Sequence, residues 1–199
     1  MDAAVGRIVK ALEAEGKRAN TLIVFTSDNG GQRKWDAPKD QYDGRYEPHT
    51  TLGNNLPLRG WKTELYEGGI RVPCCVNWPG HVPAGKTTNS PTCIIDWMPT
   101  FCELAGAPAE SALRLSGKDI WPLILGKSQP EPRTFYWRTP SRSALRQGDW
   151  KLITGKADSP AELYDLASDP FEKSDVAAKH PDRVAEMADA LREERRRDQ

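Results

Sequence analysis

Asp28 and Asn29, followed by Gly30 and Gly31, set a carboxylate and an amide oxygen side by side on backbone that can turn sharply. Both are hard oxygen donors of the kind Ca²⁺ or Mg²⁺ takes. The same tetrapeptide is also a common turn that needs no metal, and taken alone it reads first as that turn. Two oxygens cannot fill a calcium shell of about 6–8 ligands, so a metal here would draw most of its ligands from elsewhere. Lys62 is the second candidate. It ends the stretch Gly-Asn-Asn-Leu-Pro-Leu-Arg-Gly-Trp-Lys (53–62), a glycine-punctuated loop suited to presenting an ammonium to an anion; the alternative is an ordinary surface lysine. Glu67 and Arg71 flank Gly68 and Gly69 and read as an ion pair holding a turn, because unpaired buried charge is rare.

Between these two signals, residues 32–52 carry Trp35, Tyr42, Tyr46 and His49. Long loops beside sites are often functional, and aromatics there could stack on a sugar ring; an ordinary surface loop is the favoured reading, and His49 is not read as catalytic. The four cysteines, Cys74, Cys75, Cys93 and Cys102, lack zinc-type spacing and read as buried small apolar residues. A disulfide from Cys74 or Cys75 to Cys93 or Cys102 stays open.

The elements that must position these residues follow from periodicity. Val5, Ile8, Val9 and Leu12 mark a helix that Gly16 stops. Residues 21–26, Thr-Leu-Ile-Val-Phe-Thr, are apolar on both faces and read as a central strand of a parallel sheet covered by helices on each side. Its partner strands are expected upstream of this chain. Asp28 and Asn29 then lie just past the strand's carboxyl end, where open α/β sheets bind ligands. Residues 30–60 show no clear periodicity, and 72–78 read as another strand. A helix over 96–104 is expected, with Asp96 as its N-cap, and a short helical piece over 120–125 precedes a Pro-, Ser- and Gln-bearing linker. Strand candidates at 134–138, 143–146, 150–154 and 162–166 suggest an antiparallel meander, and a last helix starts at Pro181. The expected domains are 1–133 and 134–199.

Lys+Arg and Asp+Glu number 28 each, so no overall charge draws the chain to nucleic acid or an anionic membrane. The mixed-charge tail at 192–197 reads as a solvated helix end. No apolar run reaches the ~20 residues of a membrane span, and no charged-then-apolar leader opens the chain, so no compartment is assigned.

Thr-Leu-Ile-Val-Phe-Thr-Ser-Asp-Asn-Gly-Gly (21–31), Leu-Arg-Gly-x-Lys (58–62) and Glu-Gly-Gly-x-Arg-x-Pro (67–73) together resemble the formylglycine-dependent sulfatase family. Residues 53–62 are most similar to the arylsulfatase B type, whose members remove sulfate from N-acetylgalactosamine units. Residues 94–106, with Asp96, Pro99 and Thr100, resemble that family's D-x-x-P-T helix, and 148–152 and 162–170 resemble strands of its C-terminal subdomain. The likeness runs through nearly the whole chain in order.

It implies an α/β fold: part of an alkaline-phosphatase/sulfatase-like sheet sandwiched by helices, then a small α+β subdomain with an antiparallel sheet and a terminal helix. It implies that Asp28 and Asn29 are ligands of a catalytic Ca²⁺, that Lys62 contacts the sulfate, and that the substrate is a sulfated carbohydrate or aryl sulfate. It further implies an aldehyde nucleophile made from the Cys or Ser of a C/S-x-P-x-R motif. No such motif occurs in these 199 residues, so the chain is expected to be a fragment lacking the nucleophile and inactive alone. A phosphatase, phosphodiesterase or phosphonate hydrolase of the same superfamily, or a non-catalytic remnant, are the rival readings.

Overall fold

Alternating apolar residues along four short strands build the main sheet of the computed structural model, which describes residues 1–35, 43, 47–51, 53–107, 115–129, 131–155 and 159–198. The strands β5 (Thr134–Arg138), β6 (Ser143–Gln147), β7 (Trp150–Thr154) and β8 (Glu162–Asp165) pair antiparallel in chain order, with Leu145 opposite Leu152 and Leu152 opposite Leu163. Successive side chains of a strand point to opposite faces. Leu145, Leu152 and Leu163 therefore share one face, and they pack on Met187 and Leu191 of the terminal helix α5 (Pro181–Arg197). Ala144, Ile153 and Tyr164 share the other face, and they pack on Leu65 and Tyr66. This sheet is covered on both sides. The predicted meander and final helix appear within a residue or two of their expected bounds.

The chain packs as two compact units. One comprises Thr26–Cys74 and Pro132–Gln199, and so contains the four-stranded sheet together with the segments bearing Asp28 and Lys62. Its residues 26–74 also form β2 (Lys34–Trp35), which pairs antiparallel with β3 (His49–Thr50), and the one-turn helix α2 (Glu67–Ile70). The periodicity of 30–60 is too weak to reveal that small ribbon.

The other unit comprises Met1–Phe25 and Cys75–Glu131. It holds α1 (Asp2–Ala14), α3 (Trp97–Leu104) and α4 (Trp121–Ile124). Asp96 is fully buried beside α3. Its carboxylate accepts the Cys93 N–H at 2.7 Å and the Lys118 N–H at 3.0 Å, so it organises the turn before the helix and a distant loop at once. The strand β1 (Ile23–Thr26) neighbours β4 (Cys74–Asn77) in a sheet of two strands. This corrects two expectations. A partner of β1 lies downstream, and no residue of either strand is buried, so among the described residues β1 is not covered on both faces as its composition predicts. For the same reason Cys74 and Cys75 are exposed rather than buried, and all four cysteines are thiols.

Candidate active site

Three segments of the chain meet through backbone hydrogen bonds around Gly30. The Gly30 N–H donates to the Gly69 carbonyl at 3.0 Å, and the Lys62 N–H donates to the Gly31 carbonyl at 3.0 Å. Asn55 reinforces the junction: its Oδ1 accepts the Gly31 N–H at 2.7 Å, while its Nδ2 donates to the carbonyls of Gly31 and Gly60. The glycines are needed for this closeness. A Cβ on Gly30 would overlap the Gly68 carbonyl oxygen, and one on Gly69 would overlap that of Glu64. Residues 28–31 and the loop ending in Lys62 are thus held side by side.

Among the described residues, the Asp28 carboxylate and the Lys62 ammonium make no hydrogen bond or ion pair, and both residues are exposed. Asn29 is half-buried. Its Nδ2 donates to the Gly30 carbonyl at 2.8 Å, which leaves its Oδ1 unengaged. A carboxylate and an amide oxygen with open lone pairs suit a hard divalent cation, so these two residues fit Ca²⁺ as part of a shell. They fit only a part. The described residues hold no group of three or more His, Cys, Asp or Glu side chains able to complete it.

Two charged clusters hold the Lys62 loop from the sheet side. The strand register puts Arg146, Lys151, Glu162 and Tyr164 on the face that packs on residues 65–66. In the first cluster, Lys151 is fully buried, with its Nζ 2.9 Å from Glu67 Oε1 and 2.8 Å from Glu172 Oε1. Glu172 is also fully buried and adopts a left-handed φ of 54°. Its Oε2 accepts the Glu67 N–H at 2.6 Å, and burial raises its carboxyl above the ordinary value. Arg71 does reach Glu67, as predicted, but at 3.9 Å and half-exposed, so it is the minor partner.

In the second cluster, Arg59 donates to the Tyr164 hydroxyl at 2.8 Å and to the Glu172 carbonyl at 3.0 Å, with its guanidinium 4.0 Å from the centre of the Tyr66 ring. Tyr66, Tyr164 and Arg142 all donate to Glu162. Burial pushes the Glu162 carboxyl up, but these hydrogen bonds and the Arg142 charge outweigh it and hold it below the usual carboxylate range.

Sequence reasoning missed Arg59, Lys151 and Glu172. Arg59 and Lys151 stand in the stretches quoted for the family likeness, which was their one signal. Of the loop aromatics, Trp35 is half-buried on β2 and His49 is exposed on β3, its Nδ1 bonded to the Glu47 carbonyl at 2.8 Å. Tyr42 and Tyr46 lie outside the described residues.

The chain matches the family described as Sulfatase over residues 1–107, and that described as N-sulphoglucosamine sulphohydrolase, C-terminal, over residues 60–198. It is 37% identical to the steryl-sulfatase of Rattus norvegicus across 94% of this chain and 37% of that protein. It is 30% identical to the N-acetylgalactosamine-6-O-sulfatase of Bacteroides thetaiotaomicron across 96% of this chain and 39% of that protein. Among solved structures, Ps i-CgsB in complex with k-i-k-neocarrahexaose superposes with a TM-score of 0.77 at 34% identity, covering 96% of this chain and 40% of that one. The chain therefore spans roughly two-fifths of the length of these relatives.

Proposed function

The chain belongs to the sulfatase family, and from that premise we propose that it contributes two metal ligands and a sulfate-contacting lysine to the active site of a sulfuric ester hydrolase. Asp28 and Asn29 would hold Ca²⁺, and Lys62 would meet the sulfate. The observation that carries this reading is the hydrogen bond from the Lys62 N–H to the Gly31 carbonyl. It sets the loop that carries Lys62 against the turn that carries Asp28, and neither side chain has a partner among the described residues. An ammonium and a carboxylate left open on neighbouring segments suit an anionic ligand and a cation bound together.

A sulfate ester is anionic, so a nucleophile approaching sulfur must be helped by positive charge. The Lys62 ammonium would offset the charge that builds on the sulfate oxygens, and it would do so more strongly once water is excluded. A bound Ca²⁺ would supply Lewis-acid polarisation of the same oxygens. No Cys or Ser of these residues stands in a C/S-x-P-x-R motif, so the covalent step falls to groups outside the 199 residues. For the substrate we propose a sulfated carbohydrate, with an aryl sulfate as the convenient probe. The likeness of residues 53–62 to the arylsulfatase B type supports a sulfated N-acetylgalactosamine unit, as does the named activity of the Bacteroides relative.

The test joins this chain to the N-terminal half of a sulfatase relative and measures aryl sulfate turnover. Lys62→Ala should lower kcat by about two orders of magnitude or more, as for losing one charge stabiliser in a desolvated site. A kcat near that of the parent would remove Lys62 from the site.

A further inference from the structure

We propose that Lys151 and Glu172 are positioning residues for the site: the buried ammonium of Lys151 holds the Glu172 carboxylate in place, and Glu172 pins both ends of the span that carries Lys62. The proposal rests on the site reading above. Glu172 grips that span at two points. Its carbonyl accepts from the Arg59 guanidinium at 3.0 Å, and its Oε2 accepts the Glu67 N–H at 2.6 Å. Lys62 lies between those two residues. The grip then passes on, because the Gly68 N–H donates to the Arg59 carbonyl at 2.6 Å and the Gly69 carbonyl receives the Gly30 N–H. Gly30 follows directly on Asp28 and Asn29. One residue of the C-terminal sheet region, through its carbonyl and its carboxylate, is thereby linked to all three proposed site residues.

Lys151 makes this arrangement possible. Glu67 and Glu172 are both buried, and two buried carboxylates in contact with one cation would repel each other without it. Removing one partner of a buried ion pair leaves an uncompensated charge, which is far costlier than losing an exposed pair. The remaining cations near Glu67 stand farther off, with Arg146 at 4.0 Å and Arg71 at 3.9 Å. The left-handed backbone of Glu172 agrees with a residue held by its surroundings rather than by local preference.

The experiment is amide hydrogen exchange on the 199-residue chain, comparing the parent with Lys151→Met, which keeps the length of the side chain and deletes its charge. Exchange at Gly30, Lys62 and Gly69 should quicken at least tenfold, while Leu145 and Leu163 in the sheet change much less. Combining Lys151→Met with Glu172→Gln should restore much of the protection, since an amide oxygen still accepts the Glu67 N–H and the one carboxylate left, that of Glu67, keeps Arg71 at 3.9 Å and Arg146 at 4.0 Å. The double variant also serves if the single one does not fold. Unchanged exchange at the three glycine-junction amides overturns the proposal. So does equal loosening of the whole sheet, which would make Lys151 a general stabiliser. In the joined enzyme, kcat should fall about tenfold or more with the loosening. Local loosening with full kcat would uphold the positioning and count instead against the roles given to Lys62 and Asp28.

Discussion

The buried charges in the unit that holds the proposed site are paired, while the proposed site residues are open. Glu162 receives two phenols and a guanidinium, and Lys151 receives two carboxylates, whereas Asp28 and Lys62 have no partner among the described residues. The paired groups should govern how stability varies with acid. The Glu162 carboxyl sits below its ordinary value of 4.5 in the folded chain, so its stabilising contribution is complete above that value and is lost as pH falls through the folded one. Glu172 has the opposite sign: its carboxyl is raised by burial, so its contribution is fullest in acid and declines as pH rises through the folded value. Urea unfolding of the parent and of Glu162→Gln, followed from neutral pH down to roughly 3, separates the two. The stability gap between them should be widest near neutrality and close in acid. A gap that stays constant with pH would mean that Glu162 is not the group responsible.

At the scale of elements, the junction around Gly30 depends on backbone approaching backbone. Gly30→Ala would drive a methyl into the Gly68 carbonyl, an overlap that no side-chain rotation can relieve. Overpacking of this kind costs about 1–3 kcal/mol, and here the upper end is expected; denaturant midpoints would measure it, and a loss under about 0.5 kcal/mol would show that the three segments are not tightly joined. The same elements show what was legible beforehand. Helix α1, the four strands of the meander and α5 follow from spacing and turn residues, because each has a dominant local pattern. Lys151 does not. It alternates with Leu152, so on a half-covered strand it would face water, and only the packing of residues 65–67 on that second face buries it. Glu172 stands in a turn with no periodicity at all. Cys74 and Cys75 fail for the converse reason: an apolar strand predicts burial, yet β4 has one described neighbour strand and no covered face. Of the site itself, residue types and the family likeness point to Asp28, Asn29 and Lys62, while the hydrogen bonds that bring their segments together are visible only in the fold.

Over the whole molecule, the two units differ in how well they close on themselves. The unit with the four-stranded sheet buries two apolar clusters, one on each face. The other leaves Ile8, Phe25, Ile94, Met98 and Phe101 exposed, and its α1 buries no residue. The chain also spans only about two-fifths of the length of its curated relatives, such as 37% of one and 39% of another. Both facts agree with the proposal that the chain supplies part of a catalytic apparatus. Positioning accounts for a large share of catalysis, and a small misplacement of reacting groups can cost ~100-fold, so a partial set of groups is expected to do nothing measurable. The direct test is aryl sulfate hydrolysis by the 199-residue chain alone, by the chain joined to the N-terminal half of a sulfatase relative, and by the joined form carrying Asp28→Ala. The chain alone should not exceed background with or without Ca²⁺, the joined form should show saturable turnover, and Asp28→Ala should abolish it. Saturable hydrolysis by the chain alone, or full activity in joined Asp28→Ala, would contradict the account.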